Sequence, residues 1–229
     1  MKKFLRKLLL FIIFLIIVIS SIACLVGYSY YRKALKTKPL LERIDEVTSK
    51  QNYTIFSKLP QNYVNAVIDI EDKRFYNHGA VDFISIARAF YINIREGDFD
   101  EGGSTITQQV AKNIVFSQDK NIVRKLGEIF AAHDLEKNYT KDEILSLYVN
   151  SVYFGDGYYG IYDASHGYYN KDPQDLNLDE ASMLAGIPNA PSVYSPTINP
   201  ELASQRQKQV LDAMVDCGDI TQEQENSVK

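Results

Sequence analysis

An uninterrupted apolar run from Leu8 to Tyr28 constrains this chain more than any other stretch, since it contains no charged residue. A run of this length can cross a bilayer as a helix. It is longer than the apolar core of a cleaved signal peptide. The residues before Cys24 match a lipoprotein cleavage site only weakly, and the apolar run continues past Cys24. We therefore expect an uncleaved transmembrane anchor over residues 8–28.

Charge is distributed unevenly along the chain. Of the 25 Lys and Arg residues, eight lie within residues 1–38, which hold no acid, so the rest carries 17 basic against 29 acidic residues. An acidic body argues against general nucleic-acid binding. The basic residues flank the apolar run equally, so the positive-inside rule does not settle the topology. We expect residues 1–7 in the cytoplasm, a juxtamembrane connector over residues 29–58 and a domain over residues 59–229 on the other side.

Helical periodicity dominates residues 59–229, and the alternation typical of strands is scarce. We therefore predict a mainly α fold, in a domain long enough for one real core. The two cysteines, Cys24 and Cys217, are not expected to pair, because Cys24 lies inside the apolar run. Three histidines without a CxxC or HExxH pattern do not favour a zinc site.

One carboxylate, Glu71, stands in phase with an apolar helical stripe. Val64, Val67, Ile68 and Phe75 recur with it at the spacing of a single helix face. A carboxylate in this position is costly to bury unless it is paired or desolvated for a purpose. Three interpretations stay open: the helix has already ended, Glu71 meets a buried arginine, or Glu71 is a catalytic carboxylate with a perturbed pKa.

The stretch from Gly102 to Glu128 combines a glycine-rich entry into a helix with a group of cations. Ser104 or Thr105 can cap that helix, and a helix N-terminus near cations suits phosphate. The cations of this stretch, which stands in an otherwise acidic domain, are Lys112, Lys120, Arg124 and Lys125. A capped surface helix with a few ion pairs is the alternative interpretation.

Two further helices have a face whose environment the pattern leaves open. In the segment 122–135 the apolar stripe comprises Ile122, Leu126, Ile129, Phe130 and His133. The charged side chains lie on the opposite side, which predicts a solvated face with ion pairs. The segment Asp82–Arg95 is apolar on nearly every side, which indicates burial or contact with lipid. Core packing is the preferred interpretation for this segment.

Five motifs, in order, resemble those of the peptidoglycan glycosyltransferases, glycosyltransferase family 51. They are EDKRFYNHG at Glu71–Gly79, GSTITQQ at Gly103–Gln109 with Lys112, Arg124-Lys125 with Glu128, Glu143–Gly160, and Glu180–Pro196. Together they cover about Leu59 to Met214. No SxxK-bearing transpeptidase domain follows, so the chain resembles a monofunctional member, equivalent to the glycosyltransferase domain of class A penicillin-binding proteins.

This resemblance implies a lysozyme-like helical lobe with a smaller membrane-proximal lobe, preceded by a single transmembrane helix. The apolar stripe Phe83–Ile94 would belong to the smaller lobe. The chain departs from the family pattern in three places: Tyr168-Tyr169-Asn170-Lys171 replaces the usual Tyr-Phe-Gly-Lys, Gly127 stands where Lys or Arg is frequent, and Lys120 stands where Arg is common. None of these departures affects the carboxylates Glu71 and Glu128.

The resemblance also implies an inverting polymerase of lipid II, a disaccharide-pentapeptide on a polyprenyl pyrophosphate. Glu71 would be the general base for the acceptor's GlcNAc 4-hydroxyl, which attacks MurNAc C1 of the growing glycan to form a β-1,4 link. Glu128 would be the second catalytic carboxylate, on the donor side, where cations offset charge on the departing pyrophosphate. The sequence requires no cofactor, although a divalent cation, Mg²⁺ or Mn²⁺, could share that task.

The same resemblance supplies the expected surroundings of the reaction. The residues expected to bind substrate are Asp72, His78, Ser104, Thr105, Gln108, Gln109, Lys112, Lys120, Arg124 and Lys125. The expected partners are lipid II, the growing lipid-linked glycan, the bilayer, penicillin-binding transpeptidases and other cell-wall synthesis proteins, without nucleic acid. The expected location is a bacterial cell membrane, crossed once, with the catalytic domain on the extracytoplasmic side.

Two other classes of protein are alternatives to a lipid II polymerase. A lysozyme-like glycan hydrolase also uses a carboxylate in an apolar setting, but it has no pyrophosphate for a basic cluster to hold. An inactive membrane-anchored scaffold of the cell-wall machinery has no need of the intact pair Glu71 and Glu128. The basic cluster and the two carboxylates together favour the polymerase.

Overall fold

The computed structural model describes residues 2–96, 102–116 and 121–228. Within these residues every long element is a helix, and the one extended pairing is an isolated bridge between Tyr153 and Tyr159. The prediction of a mainly α fold is therefore confirmed. The helices are α1 (Lys2–Thr37), α2 (Leu40–Thr48), α3 (Gln61–Glu71), α4 (Phe83–Glu96), α5 (Ile106–Val115), α6 (Ile122–Asn138), α7 (Lys141–Ser151), α8 (Ile161–Tyr169), α9 (Leu178–Gly186), α10 (Pro200–Cys217) and α11 (Gln222–Ser227).

The helix α1 runs without a break through the apolar run and on into the predicted connector, ending at Thr37. Among the described residues it is the one helix long and apolar enough to cross a membrane. Its last turns leave this apolar region and pack on α6. There Tyr31 is buried and donates a hydrogen bond to Asp134, with an O···O distance of 2.6 Å. The membrane anchor therefore joins the rest of the protein without a flexible segment before Thr37.

The interior of the domain is centred on α5 and α7. Val110 and Ala111 of α5 are fully buried, as are Leu145 and Tyr148 of α7. On one side α3 packs against α9 and α10, and on the other α6 lies between α5 and the end of α1. Burying one large apolar side chain contributes about 1.5–3 kcal/mol. This interior holds in place the helix ends that border the cleft described below.

A capping box fixes the start of α5. The hydroxyl oxygen of Thr105 accepts a hydrogen bond from the backbone N–H of Gln108 at 3.1 Å, and Gln108 Oε1 accepts one from the Thr105 N–H at 3.1 Å. Thr105 also donates its hydroxyl proton to the carbonyl of Ala80 at 3.0 Å. An N-cap of this kind contributes about 1 kcal/mol, and here it joins α5 to the loop that follows α3.

The helix α4 lies at the surface, so the core-packing interpretation of its sequence is wrong. Phe83 is 78% exposed, Phe90 67% and Ile94 65%, while Ala89 is buried. A helix that is apolar on most sides and exposed to this extent suits contact with lipid. The assignment of this helix to a separate membrane-proximal lobe stays a prediction.

The helix α6 turns inward the face that was expected to be solvated. Glu128 is 1% exposed, whereas Ile122, from the apolar stripe, is 81% exposed. Gly127 and Ala131 are buried beside Glu128. The interpretation of the charged side of α6 as a solvated face is therefore wrong, since Glu128 at its centre is inside the protein. The physical reason is that the small side chains on this side allow α5 to approach closely.

Gly127, which departs from the family pattern, has a steric explanation. A Cβ atom at this position would come within 3.1 Å of the Phe116 ring and 3.1 Å of the Tyr30 ring. These two rings stack on each other with their centroids 5.5 Å apart. A lysine or arginine at this position would have to displace the aromatic pair that joins α1 to the domain.

Candidate active site

A polar cleft opens where the end of α3 meets α6, α10 and the residues that lead into α5. It comprises two adjoining cavities of ≈590 and ≈330 Å³, both bordered by Glu71, Ser104 and Arg206. Cavities of this size are typical of ligand sites. Glu71 therefore lies at the junction of the two.

The two cavities differ in charge. The smaller one is lined by Lys112, Lys125 and Glu128, in addition to the shared residues. The larger one extends toward α10, where its lining includes the carboxylates of Asp69, Asp212 and Asp216. Burial raises the pKa of Asp69 to about 7. A basic region and an acidic region thus lie on either side of Glu71.

Glu71 is the last residue of α3. Its Oε2 atom accepts a hydrogen bond from the side-chain amide of Gln109, with an N···O distance of 2.6 Å. Its Oε1 atom is buried and has no hydrogen-bond partner in the part of the chain that the structure describes. A carboxylate oxygen with free lone pairs at a cleft can accept a proton from a bound hydroxyl group.

Burial raises the pKa of Glu71 above its ordinary value of 4.5. The hydrogen bond from Gln109 opposes this rise, as do the positive charges of Arg206 and Lys112. The negative charge of Asp72 adds to it. A raised pKa suits a group that must take up a proton near neutral pH.

Two tyrosines lie near the carboxylate of Glu71, and their hydroxyl groups are unpaired. Tyr63 and Tyr148 are both fully buried, and neither hydroxyl has a hydrogen-bond partner among the described residues. Burial raises the pKa of each phenol, and the negative charge of Glu71 raises it further. Most buried polar groups are hydrogen-bonded, so each of these hydroxyls keeps an unused donor beside Glu71.

Glu128 is buried between two cations from its own helix. Its Oε2 atom lies 3.0 Å from Lys125 Nζ, and its Oε1 atom lies 3.3 Å from Arg124 Nη1. Lys125 also donates a hydrogen bond to the hydroxyl of Ser104 at 2.7 Å. The Nε and Nη1 atoms of Arg124 have no hydrogen-bond partner within the described ranges. The pairing neutralises the buried carboxylate, while these guanidinium donors stay without a hydrogen bond.

Lys112 extends from α5 toward the same group. Burial lowers the pKa of its ammonium, and the charges of Arg124 and Lys125 lower it further, while that of Glu128 opposes the change. Cations held this close together are stabilised when an anion binds among them. Lys112, Arg124 and Lys125 therefore form a candidate phosphate site on the basic side of the cleft.

Several residues that were expected to bind substrate are engaged with the protein itself. Asp72 Oδ2 accepts a hydrogen bond from the backbone N–H of Ile106 at 3.0 Å, and its Oδ1 atom lies 2.7 Å from Nε2 of His78. Thr105 and Gln108 form the capping box of α5. Asp72, Thr105 and Gln108 line the cleft, whereas His78 does not border either cavity. Direct contact with substrate stays a prediction for all four.

The other expected residues are brought together, with one exception. Ser104, Gln109, Lys112 and Lys125 line the basic cavity, and Arg124 contacts the Glu128 carboxylate in its wall. Lys120 lies outside the described residues.

Arg206 of α10 was missed by the sequence analysis. It borders both cavities, its positive charge acts on Glu71, and its Nε atom is buried without a partner among the described residues. Its guanidinium carbon lies 5.8 Å from the centre of the Tyr194 ring. A signal was present, because Arg206 follows the buried Ala203 by three positions and precedes the buried Val210 by four. The same signal, a charged residue in phase with a buried apolar stripe, identified Glu71 in the sequence.

The described residues do not fit a bound divalent cation well. The one group of ligand atoms that lie close together comprises Asp72, His78 and Asp82. Asp82 is already paired with Arg74, at an Nε···Oδ2 distance of 2.9 Å, and Asp72 is hydrogen-bonded as described above. The neighbours of Glu128 are cations, which repel a metal ion. The participation of a divalent cation in the reaction stays a prediction.

Comparison with known proteins agrees with the motifs. The chain matches the transglycosylase family over residues 38–215. Penicillin-binding protein 1F of Bacillus subtilis is 40% identical over 233 residues, covering 94% of this chain and 33% of that protein. Penicillin-binding protein 1A of Neisseria lactamica is 47% identical over 175 residues, covering 76% of this chain and 22% of that protein.

A shorter relative matches over most of its own length. A candidate transglycosylase of Cupriavidus necator is 42% identical over 183 residues, which cover 80% of this chain and 79% of that protein. In contrast, the chain spans about a third of the Bacillus relative and about a fifth of the Neisseria relative.

Proposed function

Because the chain belongs to the transglycosylase family, we propose that it polymerises lipid II into the glycan strands of peptidoglycan. The growing lipid-linked glycan is the donor and lipid II is the acceptor. The similarity to penicillin-binding proteins 1F and 1A supports a place in cell-wall synthesis. Penicillin-binding transpeptidases and other cell-wall synthesis proteins are the proposed protein partners.

The first part of the proposed mechanism concerns the acceptor. The GlcNAc 4-hydroxyl of lipid II binds with its proton directed at the unpaired Oε1 of Glu71. As the hydroxyl oxygen forms a bond to MurNAc C1 of the donor, its proton passes to Glu71. The attack comes from the face opposite the leaving group, so the new link is β-1,4 and the anomeric centre is inverted. The raised pKa of Glu71 supports this role near neutral pH.

The second part concerns the donor. When the bond between MurNAc C1 and the pyrophosphate oxygen breaks, that oxygen keeps the electron pair and gains negative charge. Lys112, Arg124 and Lys125 are held where they can offset this charge, and Glu128 orders the last two by ion pairs. Charges that are already in place stabilise a transition state better than groups that must rearrange. The product that leaves is the polyprenyl pyrophosphate.

The membrane anchor supports a lipid-linked substrate. The apolar α1 fits a membrane-anchored protein, and an anchor keeps the domain in the bilayer in which the substrate is embedded. We place the catalytic domain on the extracytoplasmic side of a bacterial cell membrane, as in the expected arrangement of a short N-terminus and a large C-terminal domain.

The observation that carries this proposal is the position of Glu71. Glu71 has a buried, unpaired oxygen and lines a cleft whose basic cavity is also lined by Lys112, Lys125 and Glu128. Arg124 is paired with Glu128 behind that lining. A glycan hydrolase also needs a buried carboxylate, but it does not need the cations, because its reaction involves water and no pyrophosphate. The combination favours a transferase with an anionic leaving group.

The test is to incubate the purified full chain with labelled lipid II and, in parallel, with preformed glycan strands. We expect long glycan from lipid II, release of the lipid pyrophosphate, and no change in the preformed strands. Shortened strands would instead indicate a hydrolase. If neither substrate changed while the protein was folded, the chain would be an inactive scaffold.

A further inference from the structure

A further cavity, of ≈250 Å³, shares no lining residue with the two cavities of the cleft. It is formed by the turn that follows α2, by the first turn of α8 and by the loop between α8 and α9. Its lining comprises residues 51–54, Lys58, Tyr162 and residues 172–174. The volume is slightly below that of the usual site for a whole small-molecule ligand, which suits one unit of a longer chain.

Hydrogen bonds between distant segments hold the walls of this cavity in place. Asn150, at the end of α7, accepts a hydrogen bond from the Thr54 backbone N–H at 2.8 Å and donates one to the Thr54 carbonyl at 2.8 Å. The side-chain amide of Asn52 donates to Asp163 of α8 at 2.7 Å. The cavity is therefore preformed, and a ligand binds without the cost of ordering these segments.

An aromatic ring in the lining is held in a fixed orientation. Tyr162 is 36% exposed, and its ring packs on that of His166 with the centroids 4.3 Å apart. Nε2 of His166 lies 2.8 Å from Oδ1 of Asp172, which also lines the cavity. The side chains behind the ring thus connect α8 to the loop that follows it, and the ring is a rigid surface.

The polar groups of the lining are mostly uncharged. Gln51, Asn52 and Gln174 contribute amides, which both donate and accept hydrogen bonds. Lys58 and Asp172 contribute one charge of each sign. A phosphate site gathers cations and an acyl chain needs an apolar lining, so this cavity suits neither. A rigid ring beside several amides suits a pyranose, which has both C–H groups and hydroxyl groups.

We propose that this cavity, the glycan pocket, binds an N-acetylhexosamine unit of a β-1,4-linked glycan. The C–H face of the sugar packs on the ring of Tyr162. The acetamido group of the sugar has one N–H and one carbonyl, and the amides of Gln51 and Gln174 supply the complementary acceptor and donor. The other units of the strand extend into solvent, because the cavity holds only part of a chain.

A consequence for polymerisation rests on the proposed function. The strands formed in that reaction consist of the sugars that the glycan pocket binds. A strand held at the cleft and at the glycan pocket together dissociates more slowly than one held at the cleft alone, because the second contact becomes intramolecular. The glycan pocket therefore favours longer strands.

Binding is measured with a single cysteine in the lining, in the full chain in detergent micelles. Cys24→Ser and Cys217→Ser remove the native thiols, both of which are exposed. Lys58→Cys then places a thiol in the glycan pocket. Its rate of alkylation by a maleimide is followed with increasing chitotetraose, a β-1,4-linked oligomer of N-acetylglucosamine. Lys137→Cys, at an exposed position of α6, is the control thiol.

We expect chitotetraose to slow alkylation at position 58 several-fold and to leave position 137 unchanged. Tyr162→Ala should raise the concentration that gives half-protection by roughly tenfold, the factor for about one lost contact. Tyr159→Ala, which removes an exposed ring outside the lining, should not raise it. Absence of protection at position 58, or equal protection in Tyr162→Ala, would overturn the proposal.

The choice of sugar has its own measurement. Cellotetraose has the same linkage but carries hydroxyl groups in place of the acetamido groups, so it should protect position 58 only at several-fold higher concentration. Gln51→Ala with Gln174→Ala should remove this difference, and both side chains are exposed, so the fold stays intact. Equal protection by the two oligosaccharides in the parent would contradict the assignment to N-acetylhexosamines.

The consequence for polymerisation is measured as the length of the product strands at equal consumption of lipid II. Tyr162→Ala should give shorter strands than the parent, and Tyr159→Ala should give strands of the parental length. Equal lengths in all three would overturn the link between the glycan pocket and polymerisation. A chain that chitotetraose protects but that forms no glycan from lipid II would contradict the proposed function and leave the glycan pocket standing.

Discussion

Glu71 and Glu128 both place a buried carboxylate oxygen in the wall of one cleft, but their surroundings differ in charge. Glu71 is held by a neutral amide, that of Gln109, and its other oxygen is unpaired. Glu128 is held by the cations Arg124 and Lys125. Glu71 is therefore desolvated without a full counter-charge, whereas the charge of Glu128 is neutralised by two cations of its own helix.

This difference shows how one cleft can hold two acids for two tasks. A desolvated carboxylate with a neutral partner gains from taking up a proton, which is the property of a base. A carboxylate between two cations can hold those cations in position. Two buried carboxylates with such different partners suit separate roles in catalysis.

The largest expected effect is that of removing the base. Glu71→Gln keeps the shape of the side chain and removes its ability to accept a proton. We expect polymerisation of lipid II to fall by about 10²–10⁴-fold, the usual contribution of a general base. The control is Glu201→Gln, at an exposed glutamate in the first turn of α10. Near-parent activity in Glu71→Gln would show that the base is another group.

Removing a donor-side cation comes next in size. Lys112→Ala or Arg124→Ala removes a charge-assisted contact worth about 1.5–3 kcal/mol, which corresponds to roughly 10–150-fold in kcat/KM. The measurement is the rate of lipid II polymerisation as a function of substrate concentration. Lys137→Ala, at an exposed lysine in the last turn of α6, is the matched control. If both cleft variants work at the parent rate, the phosphate assignment fails.

The pH dependence of the rate separates the two carboxylates. The base works only when ionised, so the rate rises with pH through the raised pKa of Glu71. Gln109→Met removes the hydrogen bond that favours the ionised form, and the acid limb should move upward by about one pH unit or slightly more. Glu128→Gln should lower the rate and leave the limb at the parent pH. If the acid limb of the pH–rate profile disappeared in Glu128→Gln, Glu128 and not Glu71 would be the base.

The smallest expected effect is on stability. The unfolded chain releases the Glu71 proton near pH 4.5, but the folded protein keeps it to higher pH. Between these two pKa values the folded state binds a proton that the unfolded state does not, so the stability of the parent falls as pH rises. Glu71→Gln does not titrate. Its Tm relative to that of the parent should therefore increase with pH through this window and level off above it; a difference that shrinks with pH would contradict the raised pKa.

The sequence was sufficient where periodicity and chemistry agreed. Glu71 could be identified because a carboxylate in phase with buried residues must be paired or put to use, and the structure places it in that position. The cations of α5 and α6 could be identified because they stand out in an acidic domain. The helical class followed from the same periodicity, which most of the segments show.

The sequence was insufficient where an apolar face has two possible environments. The stripe of α6 and the helix α4 have the pattern of buried surface, but Ile122 and Phe83 are among the most exposed large apolar side chains of the described residues. Periodicity measures which residues avoid water, and it does not distinguish protein from lipid. Thr105 and Gln108 illustrate a second limit, because a residue in a catalytic motif can owe its place to a helix cap.

The docking of α1 on α6 bears on how the protein is made. Tyr31 and its partner Asp134 are separated by 103 residues. At the usual rates of synthesis, roughly 5–20 s pass between the appearance of one and of the other. The anchor is thus in the bilayer well before α6 exists to cover Gly27 and Tyr31. During this interval the end of the anchor offers an uncovered surface at the membrane boundary, which α6 covers later.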